Sequence, residues 1–357
     1  MSCQAGVIES SGWSRRRQLR GRTLGPRAKP ARPHPSVFAP CAAAGCVLPS
    51  FWGSDPIDPL HATQYGSEHV HSMPRRSRVL AVVNQKGGVG KTTTAVNLAA
   101  SFAASERATL LIDMDPQANA SAAYGVRDVD RHVYDALIGE CVMKDATLPT
   151  DLSHLHLVPA GTDLVGAEVE LVSAPDRERR LERALADVRD LYDLTLIDCP
   201  PSLGLLTLNA LTAADGVIIP LQCEYYALEG LARLLETMDL VRSGLNPDVS
   251  LEAIVLTMVD RRNNLARQVE AEVREHFGAR VMDTRIPRNV RLSEAPSHGK
   301  PILLYDIHSK GSVAYLALAE EMLGRPGFAE DRLTPPPLVS EPPGPATPEG
   351  IDHDDTP

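Results

Sequence analysis

The chain has 357 residues and a formal net charge of −10, but both figures average three unlike segments. Residues 1–76 carry ten Lys+Arg against four Asp+Glu and nine of the 29 prolines; residues 334–357 carry five acids, eight prolines and no Lys or Arg; the stretch between them nets −11 with twelve prolines. That middle is long enough for one large domain with a full core. No run of 18 apolar residues exists, which excludes a membrane-spanning helix. Six cysteines scattered without a CxxC pair indicate neither a zinc site nor a disulfide framework, and fit a reducing cytosol. An aromatic content of 4% is too low for the stacking platforms of single-strand binders.

Residues 1–76 show no helical or strand period, and Pro26, Pro30, Pro33, Pro35 and Pro40 break any helix that starts there. The cluster Arg15, Arg16, Arg17, Arg20 and Arg22 leaves three readings of this basic, Pro-rich extension. It is an organellar targeting peptide, which the prolines disfavour because such peptides need an amphipathic helix; a disordered basic arm that touches nucleic acid; or a translated leader ahead of a true start at Met73. At the other end, residues 325–357 read as a disordered, Pro-rich acidic tail.

From Arg78 the pattern changes to short apolar runs alternating with helical stretches. Val79 to Val83, Thr109 to Ile112, His156 to Pro159, Leu194 to Ile197, Gly216 to Leu221, Ala253 to Met258 and Val281 to Ile286 are near-continuous apolar runs, as expected of strands buried on both faces. Thr92 to Ala104, Arg177 to Arg189, Leu228 to Arg242, Leu265 to Phe277 and Val313 to Leu323 carry a helical period. Residues 77–324 are therefore expected to form an α/β domain, a doubly wound, mostly parallel sheet with helices on both faces, and ligands of such sheets sit at the carboxyl ends of the strands.

Directly after the first run comes Lys86-Gly87-Gly88-Val89-Gly90-Lys91-Thr92-Thr93, opening into a helix. A strand, a Gly-rich loop and a helix N-terminus supply consecutive N–H donors and the positive end of the macrodipole, which a polyphosphate needs. Lys91 adds a point charge for the outer phosphates, and the Thr92 hydroxyl is placed to ligate Mg²⁺. Two further motifs end apolar runs: Asp113-Met114-Asp115-Pro116-Gln117-Ala118-Asn119, whose two carboxylates at i and i+2 would point the same way on a strand, and Asp198-Cys199-Pro200-Pro201-Ser202.

The KGGxGKT form, with Lys86 ahead of the first glycine, resembles the deviant Walker A motif of the ParA/MinD group of ATPases. The resemblance implies that Lys86 reaches across a nucleotide-sandwich homodimer to the partner's phosphates. It also implies that Asp115 orients the attacking water with Asp113 in support, and that Asp198, on a Walker B strand, holds Mg²⁺ through water. Thr257-Met258 and Ile286-Pro287-Arg288-Asn289-Val290-Arg291 resemble the family's base-binding edge, with Met258 and Pro287 flanking the adenine and Asn289 giving polar contacts. For Met258 an ordinary core position is the equal alternative. No Asn-Lys-x-Asp guanine reader is present, so ATP is expected over GTP.

Pro220-Leu221-Gln222-Cys223-Glu224-Tyr225-Tyr226-Ala227-Leu228-Glu229-Gly230 and the run from Ile286 to Pro301 are similar to the chromosomal ParA (Soj) branch. That branch implies a cytoplasmic, nucleoid-associated ATPase that binds double-stranded DNA without sequence preference as an ATP dimer. A ParB-type centromere-binding partner then stimulates hydrolysis. Residues 261–300 hold nine Lys+Arg against five acids, a local excess that outweighs the distant net charge because screening acts over about 10 Å. Arg262 and Arg291 match positions that the branch uses for DNA; a solvated arginine face is the other reading. A MinD-like membrane ATPase would end in a basic amphipathic helix, whereas this chain ends in prolines and acids.

Overall fold

The apolar runs become strands because each side chain finds a packed layer on its own side of the sheet. This is seen in the computed structural model, which describes residues 77–224, 226–260, 262–326 and 328. The basic extension and the acidic tail from residue 329 onward, with Arg261, lie outside those residues. Among the described residues the strands are β1 Arg78–Val82, β2 Thr109–Asp113, β3 Leu148–Pro149, β4 Leu155–Val158, β5 Leu194–Asp198, β6 Gly216–Gln222 and β7 Ser250–Thr257. They form one sheet in the order β3-β4-β2-β5-β1-β6-β7, parallel except for β3, which pairs antiparallel with β4.

The helices are α1 Lys91–Ala104, α2 Asn119–Ala122, α3 Val133–Ile138, α4 Leu164–Glu170, α5 Arg180–Ala184, α6 Leu205–Ala213, α7 Ala227–Gly244, α8 Asn264–Phe277, α9 Val290–Glu294, α10 Ile302–Tyr305 and α11 Lys310–Leu323. Alternation along β1 sends Val79 and Ala81 into the layer built by α3 to α8, and Leu80 and Val82 into the layer built by α1 and α11. In β2, Leu110 and Ile112 face the first layer and Leu111 the second. Burial on both faces explains why these strands read as continuous apolar runs rather than as alternating ones.

The chain leaves β1 through α1 toward β2 on one side, and leaves β5 through α6 toward β6 on the other. β1 and β5 are neighbours paired from Arg78↔Leu194 to Val82↔Asp198, so the direction of winding reverses between them. Their carboxyl ends are the crevice where the fold accepts ligands.

Two expected elements differ. Val281 to Ile286 does not form a strand; it meets β7 at the isolated bridge of Ile254 with Val281 and through the N–H groups of Met282 and Ile286, which donate to the Ile254 and Leu256 carbonyls at 2.9 Å. The N–H groups of Asp283 and Thr284 instead donate to the Glu321 carboxylate at 2.7 and 2.8 Å, so a side chain of α11 takes the place of a strand neighbour. Arg177 to Arg189 is broken into 3-10 turns at Arg177–Arg179 and Leu185–Asp187 around the five residues of α5. Asp176, with φ of 50°, precedes the first turn and cannot continue a helix.

Candidate nucleotide-binding site

The loop between β1 and α1 turns on two glycines in the left-handed region, Gly88 with φ 75° and Gly90 with φ 90°. A Cβ at Gly87 or Gly88 would meet no atom within 4 Å, so these residues border open space wide enough for a ligand to approach the backbone. Gly90 closes the loop onto the helix, its carbonyl accepting from Thr94 N–H at 2.8 Å. Lys91, the first residue of α1, is almost fully buried, and its Nζ donates to the Lys86 carbonyl at 3.3 Å. Burial lowers its pKa, against the pull of the Asp198, Asp115 and Cys199 groups, which favour the charged form. An ammonium that is desolvated and only thinly hydrogen-bonded is poised for a stronger anion.

Asp198 ends β5 beneath this loop. It is fully buried, and neither carboxylate oxygen has a hydrogen-bond partner in ordinary geometry, although the Thr92 hydroxyl lies near enough to favour its charged form. Burial and the neighbouring Asp113 push its pKa well up. Two orphaned buried oxygens are costly unless a cation or its bound water completes them, so Thr92 and Asp198 fit Mg²⁺. Among the described residues no cluster of three or more His, Cys, Asp or Glu could hold a metal. A Mg²⁺ ion here would lean on phosphates and water, as Mg²⁺ commonly does.

The two carboxylates of the second motif have different hydrogen-bond partners. Asp113 is the last residue of β2, and its Oδ2 accepts from the Ser121 N–H at 2.8 Å and hydroxyl at 2.7 Å, while Oδ1 accepts from Asp115 N–H at 3.1 Å. Burial raises its pKa to about 6 despite these bonds. Asp113 therefore braces α2. Asp115 sits past the strand end, in a turn where its Oδ1 accepts from Gln117 N–H at 2.9 Å and its carbonyl from Ala118 N–H at 2.8 Å. Its charge is felt by both Lys91 and Asp198, which puts it at the same mouth.

Lys86 is half exposed and its Nζ pairs with the Glu224 carboxylate of its own chain. On the opposite rim, Thr257 Oγ1 donates to the Val89 carbonyl at 2.8 Å, and Met258 Cε lies 3.9 Å from where a Cβ of Gly90 would stand. Met258 has φ of 50°, a conformation that costs roughly 1–3 kcal/mol and persists only where surroundings impose it. It is partly exposed at this rim. Pro287 lines a cavity of ≈480 Å³ with Val259, Arg285, His308, Lys310 and α11. Asn289 caps α9, its Oδ1 accepting from Arg291 N–H at 2.9 Å, so part of its polar capacity is already spent on the helix.

The basic segment is less uniform than its count. Arg274 pairs with Glu270 at 3.0 Å and Asp283 at 3.2 Å, Arg285 bonds Glu270 at 2.7 Å, and Arg291 pairs with Glu294 at 2.9 Å and Asp306 at 3.6 Å. Arg262, Arg267, Arg280, Arg288 and Lys300 are exposed and make no ion pair among the described residues. Sequence reasoning missed Glu224 as the partner of Lys86 and Ser121 as the anchor of Asp113. Glu224 lay inside a quoted motif, but only folding brings it to Lys86 across 138 positions.

A phosphate loop at the switch point of a doubly wound sheet, with a buried acid beneath it, defines a P-loop nucleotide-binding protein. A family model described as an AAA domain matches residues 77–251. The chain is 58% identical over 250 residues to the chromosome partitioning protein ParA of Myxococcus xanthus, covering 70% of this chain and 88% of that protein. It is 54% identical over 247 residues to the sporulation initiation inhibitor protein Soj of Bacillus subtilis, covering 69% and 98%. A crystal structure of cobyrinic acid a,c-diamide synthase from Mycobacterium smegmatis, with bound ATP analogue and magnesium, superposes with a TM-score of 0.61 at 38% identity, covering 69% and 94%. The chain belongs to the ParA/Soj family of chromosome partitioning ATPases.

Proposed function

We propose that the chain is a Mg²⁺-dependent ATPase that dimerises on ATP and holds double-stranded DNA without sequence preference as that dimer. A ParB-type centromere-binding protein would release the DNA by stimulating hydrolysis, which partitions a chromosome or plasmid. The observation that carries the nucleotide part is Asp198, fully buried with two unpartnered oxygens at the foot of the loop. The unpaired cations Arg262 and Arg288 support the DNA part, with Arg291 available once it leaves Glu294 and Asp306.

The loop N–H groups and Lys91 grip the phosphates, and Lys91 exchanges the Lys86 carbonyl for a phosphate oxygen. Mg²⁺, when bound, would offset phosphate charge, with Thr92 and Asp198 holding it. Asp115 orients the attacking water, Lys86 of each copy crosses to the other's nucleotide, and Met258, Pro287 and Asn289 border the base. In-line displacement needs little covalent help from the protein, so an incompletely organised site turns over slowly until a partner completes it. The place of action is the cytoplasm, on the nucleoid; among the described residues no helix is long and apolar enough to cross a membrane.

Phosphate release by the purified chain tests this. Slow turnover alone, and clear stimulation by DNA together with a ParB-type protein, is the expected result. Turnover that instead depends on an amide donor and an acid acceptor would move the chain toward the synthase-like relative, and turnover stimulated by anionic vesicles would move it toward a MinD-like role.

A further inference from the structure

Lys86 is held at three of its atoms by its own chain. Its N–H donates to Asn84 Oδ1 at 2.9 Å, its carbonyl accepts from Lys91 Nζ at 3.3 Å, and its Nζ pairs with the Glu224 carboxylate. Glu224 lies two residues past the end of β6, in a turn closed by its N–H to the Gln222 carbonyl at 2.8 Å and by Ala227 N–H to its own carbonyl at 2.9 Å. The start of the loop is stitched to the same strand by Asn84 Nδ2, which donates to the Pro220 carbonyl at 2.8 Å in a buried contact. The carboxylate thus faces Lys86 from the end of the strand to which the start of the loop is also bonded.

A Lys86 side chain laid against Glu224 cannot also extend to a second copy. We propose that Glu224 is a positioning residue that parks Lys86 within the monomer, so that dimerisation exchanges an intrachain carboxylate for a phosphate on the second copy. This rests on the reading of Lys86 given under the proposed function. Both partners are nearly half exposed, at 43% and 47%, so the pair is weak, as suits a contact that must open. An exposed pair of this kind changes an equilibrium by a factor of up to about 5. A symmetric dimer opens two of them, so parking weakens dimerisation by up to about 25-fold. Phosphate, more highly charged than a carboxylate, wins the exchange only when nucleotide is bound.

Sedimentation of the full chain with Mg²⁺ and the non-hydrolysable analogue AMPPNP reads this directly. Glu224→Gln is expected to dimerise about tenfold more tightly than the unsubstituted chain. The gain should shrink at about 0.5 M salt, because exposed pairs are screened. Adding Glu224→Gln to Lys86→Ala should recover nothing, which a purely structural effect of Glu224 would not obey. Equal or weaker dimerisation by Glu224→Gln, or a gain that survives in the Lys86→Ala background, overturns the parking role. Failure of the unsubstituted chain to dimerise with AMPPNP would overturn the underlying reading of Lys86 instead.

Discussion

Lys91 Nζ reaches back 3.3 Å to the carbonyl of Lys86, so the two lysines of the phosphate loop are linked before any ligand arrives. The contact is long and accompanies a buried ammonium whose charged form burial disfavours. Lys91→Ala should therefore abolish ATP binding with little loss of fold. Calorimetric titration with ATP and Mg²⁺ beside thermal unfolding separates the two; retained affinity would refute the role.

Asp115 stands at the mouth of the site with one oxygen engaged by Gln117 N–H and its charge directed at Lys91 and Asp198. Asp115→Ala should keep ATP binding and dimerisation while lowering turnover by about 10²-fold or more, the usual scale for a group that positions a nucleophile. Single-turnover phosphate release measures this, and normal hydrolysis would show that another residue orients the water.

The buried acids make a pH prediction. Asp113 titrates near pH 6 in the folded chain and Asp198 well above its ordinary value, both chiefly through burial. Their contribution to stability is full below the unfolded carboxylate pKa and is lost as pH rises through the folded one. Nucleotide-free protein should thus gain stability from this pair as pH falls from neutrality toward 5. His156, whose pKa burial lowers, opposes them in part, and the depressed Glu270 and Glu321 matter only below about pH 4.5. Comparison with Asp198→Asn cancels His156: that variant should be more stable than the parent near pH 7.5 in urea and should lose the difference toward pH 5. A constant difference would contradict the assignment.

Much of the fold was legible because burial on both faces writes itself as continuous apolar runs. α6 was not, because Leu205–Ala213 is apolar nearly all round and shows no polar face to mark a helix. The run at 281–286 misled for the converse reason: its apolar residues are buried and its ends bond β7, but between them the N–H groups of Asp283 and Thr284 are taken by Glu321 on α11, a partnership no local pattern encodes. In the site, the loop could be read because its spacing is local. The bracing of Asp113 by Ser121 and the pairing of Lys86 with Glu224 join residues 8 and 138 positions apart and had to be seen.

DNA contact should follow the unpaired cations rather than the raw count of the segment. Arg262→Ala and Arg288→Ala should each lower the salt slope of DNA binding by about 2 in a symmetric dimer, one contact per copy. Arg285→Ala should change it little, since Glu270 already neutralises that side chain. Arg291 is paired with Glu294 and Asp306 but more exposed than Arg285, and Arg291→Glu adds a third acid there, so that charge reversal should lose DNA while leaving the ATP dimer intact. Fluorescence anisotropy across a salt series checks all four, and an Arg285 effect equal to that of Arg262 would place the surface elsewhere.

The central claim is that bound ATP, acting through dimerisation, creates the DNA-holding state. Retention of a random-sequence duplex by the purified chain, compared with ATP and with ADP, tests it most directly. A chain beginning at Met73 run in parallel separates the folded surface from the basic extension. The account predicts retention with ATP alone, unchanged in the shorter chain and falling by orders of magnitude between about 50 and 200 mM salt. Equal retention with ADP, or loss of retention on removing residues 1–72, would contradict it.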